Sequence, residues 1–158
     1  MNIYLSFGSN VGNRQKHIED AISELSKNNI KQIKKSSLYE TFPIGPQQRK
    51  FYNLVGKFET NLSAEELLKV LKDIEKKIGR IKTFRWGPRV IDIDILFYGN
   101  KIVNLKKLVI PHKEIINRLF VLYPMNEISS NFVHPSIKKT IKTILKEFLK
   151  NTDKICKS

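Results

Sequence analysis

The run RVIDIDILFYG, residues 89–99, restricts the fold more than any other stretch of the chain. Aliphatic residues alternating with polar ones describe a strand that has one covered face and one open face. The alternation predicts Ile91, Ile93, Ile95 and Phe97 packed against helices, with Asp92 and Asp94 together on the opposite surface. Side chains two apart on a strand start from Cα atoms roughly 6.6 Å apart. They can close that gap around two cations about 3.5 to 4 Å from each other. Aspartate is disfavoured in strands and neighbouring like charges repel, so the pair costs stability unless a cation compensates. The same alternation also describes ordinary solvent-facing residues of a half-exposed antiparallel sheet.

Around this strand the patterning predicts an ordered set of elements. Residues 2–7 alternate and end at the turn-prone GSNVGN. Asn13 can cap a helix whose face carries Ile18, Ala21, Ile22 and Leu25, ending near Asn28 and Asn29. IKQIKKSSLYETF reads as one strand, FPIGPQQRK as a loop, and FYNLVGKFET as a third strand. That strand has Phe51, Asn53 and Val55 on one face and Tyr52, Leu54 and Phe58 on the other. Ser63 and Glu66 form a capping box for a helix through Leu67, Leu71, Ile74 and Ile78, which Gly79 ends. With the strand over residues 90–98 the order is βαββαβ, the ferredoxin-like arrangement of an antiparallel sheet carrying two helices on one face. Beyond it the sequence predicts a short hairpin partner near residues 101–103, a strand near residues 120–123, and a last helix through Ile137, Ile141, Ile144, Leu145 and Phe148. The fold class is therefore α+β, with C-terminal strand and helix additions.

The length of 158 residues and an apolar fraction of 41% fit a single domain over residues 1–158. With 29 basic and 15 acidic side chains the formal charge is +14, which attracts polyanions as a class: nucleic acid, an anionic membrane or a nucleotide triphosphate. One cysteine, Cys156, excludes an internal disulfide framework and points to a reducing cytoplasm. The opening MNIYLSFGSN lacks a basic lead, and Ser6 interrupts its apolar stretch, so no signal peptide is expected. No apolar run approaches membrane-spanning length.

Just upstream of the aspartates lie Arg80, Lys82, Arg85 and Arg89. Carboxylate oxygens for a hard cation beside guanidinium forks for phosphoryl oxygens are what a metal-bound triphosphate requires. Plain salt bridges between these arginines and the aspartates are the alternative. Gly8 and Gly12 are not followed by Gly-Lys-Ser or Gly-Lys-Thr, so no Walker loop is present, and the protein-kinase signatures are missing. A basic ferredoxin-like nucleic-acid-binding module is the rival class. Against it, the RNA-recognition aromatic signature is absent and the matching strand carries two aspartates.

In order along residues 3–135, the segments FGSNVGN, ETFPIGPQ, FYN, GRIKTFRWGPRVIDIDILFYG, and IPH with NRLF resemble the 6-hydroxymethyl-7,8-dihydropterin pyrophosphokinase family. The resemblance implies transfer of the β,γ-pyrophosphate of ATP to the pterin hydroxymethyl group, with release of AMP, in tetrahydrofolate biosynthesis, using two magnesium ions. It implies Asp92 and Asp94 as metal ligands and catalytic residues, together with Arg80 and Arg89. ATP contacts are implied for Glu75, Arg80, Lys82, Arg85, Trp86, Arg89, His112 and Arg118. For the pterin it implies Gly8, Thr41, Phe42, Pro43, Ile44, Phe51, Asn53, Trp86 and Phe120, with Asp92 and Asp94 at its reacting end. Phe51 and Phe120 would sandwich the ring while Asn53 bonds its edge, and Trp86 would fold inward as its loop closes. The chain departs from the family pattern at Lys82 and Lys113, where an arginine and an aromatic are common, and its GPQQRKF loop is one residue shorter. Small-molecule substrates, no nucleic acid, no membrane, a cytoplasmic monomer, or one unit of a fusion with a neighbouring folate-pathway enzyme are the corresponding expectations.

Overall fold

A computed structural model describes residues 1–81 and 83–157. The elements are β1 (Asn2–Ser9), α1 (Arg14–Lys27), β2 (Lys31–Lys35), β3 (Tyr39–Thr41), β4 (Phe51–Glu59), α2 (Ala64–Ile78), β5 (Asp92–Tyr98), β6 (Val103–Leu105), β7 (Leu108–Ile110), α3 (Leu119–Ser129) and α4 (Ile141–Lys157). The main sheet runs β2-β4-β1-β5, with β3 also paired to β4, and every pairing in it is antiparallel. The segment predicted as one strand over residues 30–42 is thus two, β2 and β3. Between them Ser36 turns inward, its Oγ accepting from the Val55 amide.

Helices α1 and α2 start and stop where their caps predict. Asn13 Oδ1 accepts from the Lys16 amide and Ser63 Oγ from the Glu66 amide, each satisfying an N–H that has no partner within the helix. Helices α1 and α2 cover one face of the sheet, where Ile18, Ala21, Leu25, Leu67, Leu71 and Ile74 pack on Ile3, Leu5, Phe7, Leu54, Phe58, Ile93 and Ile95. Helices α3 and α4 cover part of the other face over Tyr4, Val55, Leu96 and Phe97. The cleft occupies the rest of that second face.

Four expectations are corrected. Phe97 packs on the α3/α4 side, opposite to Ile93 and Ile95, because the β1–β5 register shifts between Tyr4 and Leu5: Leu5 faces Ile95, Tyr4 faces Phe97, and Leu96 is the extra residue. Such a bulge inverts every side chain beyond it. The predicted hairpin near residues 101–103 is instead β6 paired with β7 in a separate two-stranded sheet. The strand predicted near residues 120–123 is helix α3. Its β-favouring Phe120, Val121 and Tyr123 are overridden by burial of Val121, Leu122, Met125 and Ile128 at helical spacing. The last helix also begins at Ile141, leaving Ile137 in the preceding turn, where the buried His134 accepts the Ser136 and Ile137 amides on Nδ1.

Candidate active site

A cleft of about 300 Å³ opens on the free part of the second sheet face. Its floor is a row across three strands: Asn53 on β4 pairs with Gly8 on β1, which pairs with Asp92 on β5. One step further along β5, Asp94 pairs with Ser6. Glycine keeps this floor open, since a Cβ on Gly8 would stand 3.1 Å from Asn53 Oδ1 and 3.6 Å from the Phe51 ring. Asn53 Nδ2 donates to Thr41 Oγ1, so its Oδ1 remains an acceptor above Gly8.

The walls divide by chemistry. Thr41, Phe42, Pro43, Ile44 and Phe51 line one side, and Phe120 enters from α3. The other side carries Arg85, Trp86, Arg89, His112 and Arg118 around the two aspartates. Arg85 lies over the Trp86 ring, 5.0 Å from its centroid, and Arg118 stands 5.5 Å from that of Phe120. Burial, with Asp92 adding repulsion, pushes the Asp94 carboxyl up to about 7. Burial and the Arg118 charge hold His112 below the usual histidine range. Its Nδ1 accepts the Glu114 amide at 3.2 Å, so the neutral ring carries its proton on Nε2 and presents a donor.

Glu75 and Arg80, expected among the ATP-contacting residues, do not line the cleft; they brace it from behind. Glu75 is 1% exposed and its Oε2 accepts the Ile93 amide at 2.8 Å, between the two aspartates. Arg80 Nη1 bridges Glu75 Oε2 at 2.6 Å and Asp92 Oδ1 at 3.1 Å, and Lys72 lies 3.2 Å from Glu75 Oε1. Burial raises the Glu75 carboxyl above its ordinary range, an effect these two cations oppose. Lys82 lies outside the described residues.

The structure also places Ser6, Phe7 and Gly87 in the cleft lining, which the sequence reading missed. For Ser6 a signal existed, because alternation puts it on the same face as Gly8. No such signal marked Asn10. Its Nδ2 donates to Gln48 Oε1 at 2.8 Å and to the Arg49 carbonyl at 2.9 Å, while its Oδ1 accepts the Arg89 amide at 2.8 Å. Gln48 Nε2 in turn donates to the Trp86 carbonyl at 2.7 Å. These bonds tie the 42–50 loop to the 80–90 loop. Contact between the two loops is close: Gly45 has φ +94, and a Cβ there would stand 2.7 Å from that of Trp86.

Among the described residues, no group of three or more His, Cys, Asp and Glu forms a metal cage. The half-buried carboxylate pair does suit a hard cation that draws its remaining oxygen ligands from phosphate and water, as magnesium does. A carboxylate pair opposed by arginines, beside an aromatic slot, on a ferredoxin-like sheet, defines a class of site that suits a metal-bound phosphate next to a flat ring.

Comparison with known proteins narrows this class. The family described as 7,8-dihydro-6-hydroxymethylpterin-pyrophosphokinase (HPPK) matches residues 4–130. The 2-amino-4-hydroxy-6-hydroxymethyldihydropteridine pyrophosphokinase of Aquifex aeolicus is 42% identical over 142 residues, covering 89% of this chain and 88% of its own. That of Haemophilus influenzae is 40% identical over 147 residues, covering 92% and 91%. The folic acid synthesis protein fol1 of Pneumocystis carinii is 50% identical over 134 residues, 84% of this chain. The chain spans only 18% of that protein and 37% of the bifunctional FolKE of Lactococcus lactis. The crystal structure of wild-type Plasmodium falciparum HPPK-DHPS with pteroate shares the fold, with TM-score 0.77 at 17% identity over 97% of this chain and 43% of that one. The chain belongs to the HPPK family, the ATP-dependent pyrophosphokinases of folate biosynthesis.

Proposed function

We propose that this cleft transfers the β,γ-pyrophosphate of ATP to the hydroxymethyl group of 6-hydroxymethyl-7,8-dihydropterin, releasing AMP. The observation that carries this reading is the row Asn53, Gly8, Asp92. Neighbouring strands lie about 4.8 Å apart, which separates the pterin-reading amide from the metal-holding carboxylate by roughly 10 Å. Between them the glycine leaves room for the hydroxyl and the phosphorus to meet.

In this reading Phe51 and Phe120 hold the flat ring by its faces, and Asn53 and Thr41 bond its edge. Phe42, Pro43 and Ile44 close over it. Asp92 and Asp94 would hold two magnesium ions, which neutralise and orient the phosphate oxygens when bound. Arg85, Arg89 and Arg118 bind the phosphoryl oxygens and take up the charge that shifts to AMP. His112, a neutral donor, bonds the nucleotide without adding charge. Glu75 and Arg80 keep Asp92 and the Ile93 backbone in place, so Arg80 acts on the reaction through Asp92. Closing the 80–90 loop with Trp86 excludes water, which otherwise competes with the pterin for the phosphorus.

The enzyme is read as a cytoplasmic monomer or as one unit of a larger folate-pathway chain, in line with the fused fol1 and FolKE relatives. No helix among the described residues is long and apolar enough to cross a membrane. A nucleic-acid module is disfavoured, because the open sheet face presents Asp92 and Asp94 to a phosphate backbone.

The test is to incubate the protein with ATP, magnesium and 6-hydroxymethyl-7,8-dihydropterin and to identify the nucleotide product. Formation of AMP with pterin diphosphate is expected. ADP, or no turnover from a folded sample, sinks the reading.

A further inference from the structure

The rear of the pterin wall is held by a side chain that the transfer does not use. On β3 and β4, Thr41, Phe51 and Asn53 line the cleft, so alternation turns Glu40 and Tyr52, which pair with each other, to the back. Arg14, the first residue of α1, grips this back face. Its guanidinium carbon lies 3.7 Å from the centroid of the Tyr52 ring. Its Nη1 donates to Glu40 Oε2 and to the Lys50 carbonyl, both at 3.0 Å. Glu40 precedes the 42–50 loop and Lys50 ends it, so one guanidinium joins both roots of that loop, in addition to the β3–β4 pairing of Thr41 with Phe51 and to Lys50 Nζ, 4.0 Å from Glu40 Oε1. The Arg14 side chain is 11% exposed, whereas Glu40 is 43% exposed, so solvent screens the ion pair and the ring face and the Lys50 carbonyl carry much of the grip. Both bonds leave from this one nitrogen while the flat guanidinium face meets the ring, and a lysine ammonium would offer the charge without the face.

We propose that Arg14 is a positioning residue for the pterin side of the cleft, holding the two roots of the 42–50 loop at the separation that lets Thr41 and Phe42 close opposite Phe51. The proposal rests on the reading that a pterin occupies this slot. Arg14 is not among the residues that line the cleft and stands behind the aromatic wall, on the Glu40 and Tyr52 side of the sheet. Without it the loop must be ordered at the moment of binding, so the cost falls on pterin affinity and not on the chemical step.

The experiment combines steady-state kinetics with amide hydrogen exchange in Arg14→Met, Arg14→Lys and Glu40→Gln. Methionine keeps an apolar stem of similar reach and removes the charge and the fork. For Arg14→Met the pterin KM is expected to rise about tenfold, with kcat and the ATP KM within about twofold of wild type. Exchange should quicken within residues 40–52 and not in α1 or β5. Arg14→Lys restores one ionic contact and recovers part of the KM. Adding Glu40→Gln to Arg14→Met costs little more, because the two share one contact. Unchanged exchange and unchanged pterin KM overturn the proposal. So does a joint fall of kcat, both KM values and melting temperature, which would mark a general structural role. If the wild-type protein forms no AMP, the functional reading has failed on its own, and hydrogen exchange over residues 40–52 still decides whether Arg14 is the tether.

Discussion

Asp92 and Asp94 stand on a strand, whereas Phe42, Ile44, Arg85 and Trp86 stand on loops, and the two halves of the cleft are held by different means. The carboxylates are fixed by backbone pairing to β1 and braced from behind by Glu75 and Arg80. The loops are fixed mainly by side-chain bonds through Asn10 and Gln48, each of which contributes about 1 kcal/mol net, beside one backbone bond from the Asn10 amide to the Arg89 carbonyl. Two like charges repel and tolerate no slack, so they sit on the ladder. A wall that must admit and then enclose two substrates belongs on segments that open at low cost.

If that division holds, the largest loss comes from the strand. Asp94→Ala should lower kcat about a thousandfold or more, by removing a ligand that acts where charge develops, while pterin binding measured without ATP stays close to wild type. Full activity in that variant would end the metal role. Next in size is Asn53→Ala, which leaves Thr41 Oγ1 and the ring edge without their partner. The pterin KM should rise between roughly tenfold and a hundredfold, with the ATP KM little changed. An equal rise in both KM values would mean that the aromatic and charged sides are not separable.

The difference between strand and loop also decides what could be read from residues alone. Alternation in VIDIDILFY put Asp92 and Asp94 on one face, and that placement holds because a period of two leaves no other choice short of a bulge. The bulge at Leu96 is where the reading failed, for nothing local in Leu96-Phe97-Tyr98 marks an extra residue. Helix α3 was misread because Leu119 to Met125 run apolar without a break, which hides the helical spacing of the residues it buries, and Phe-Val-Leu-Tyr then looks like a strand. Thr41 to Ile44, Phe51, His112, Arg118 and Phe120 entered through family resemblance, not through spacing. Asn10, Gln48 and Arg14 stayed hidden because their partners lie 26 to 79 residues away in sequence, and only the fold brings such pairs together.

A smaller effect tests the cost of the carboxylate pair directly. Folding raises the Asp94 carboxyl from 3.8 to about 7, so the folded state binds this proton more tightly than the unfolded chain. The contribution to stability is full below the unfolded value and is lost as pH rises through about 7. In metal-free protein, Asp94→Asn should therefore raise the melting temperature by roughly 5 °C at pH 8, with a smaller gain at pH 5. Saturating magnesium should remove the advantage, because it stabilises the wild type and not the variant. Thermal melts in chelator and in magnesium at both pH values measure this. A gain larger at pH 5 than at pH 8 would mean that the pair is not strained.

Gln48→Ala should give the smallest change, and it bears on whether the two loops act as one. Gln48 is the side chain that accepts from Asn10 and donates to the Trp86 carbonyl. Alanine removes both bonds and leaves the buried Asn10 with its contacts to Arg49 and Arg89. Gln48 is partly exposed, so water replaces much of what is lost, and the cost stays near 1 kcal/mol, or about fivefold in affinity. Because the bond joins the 42–50 loop to the 80–90 loop, the loss should appear in the ATP KM as well as the pterin KM, with kcat nearly unchanged. If only the pterin KM moves, the loops close independently and the contact at Trp86 is incidental to closure. If both rise well beyond fivefold, loop against loop is as firmly built as strand against strand, and the contrast between the two halves fails.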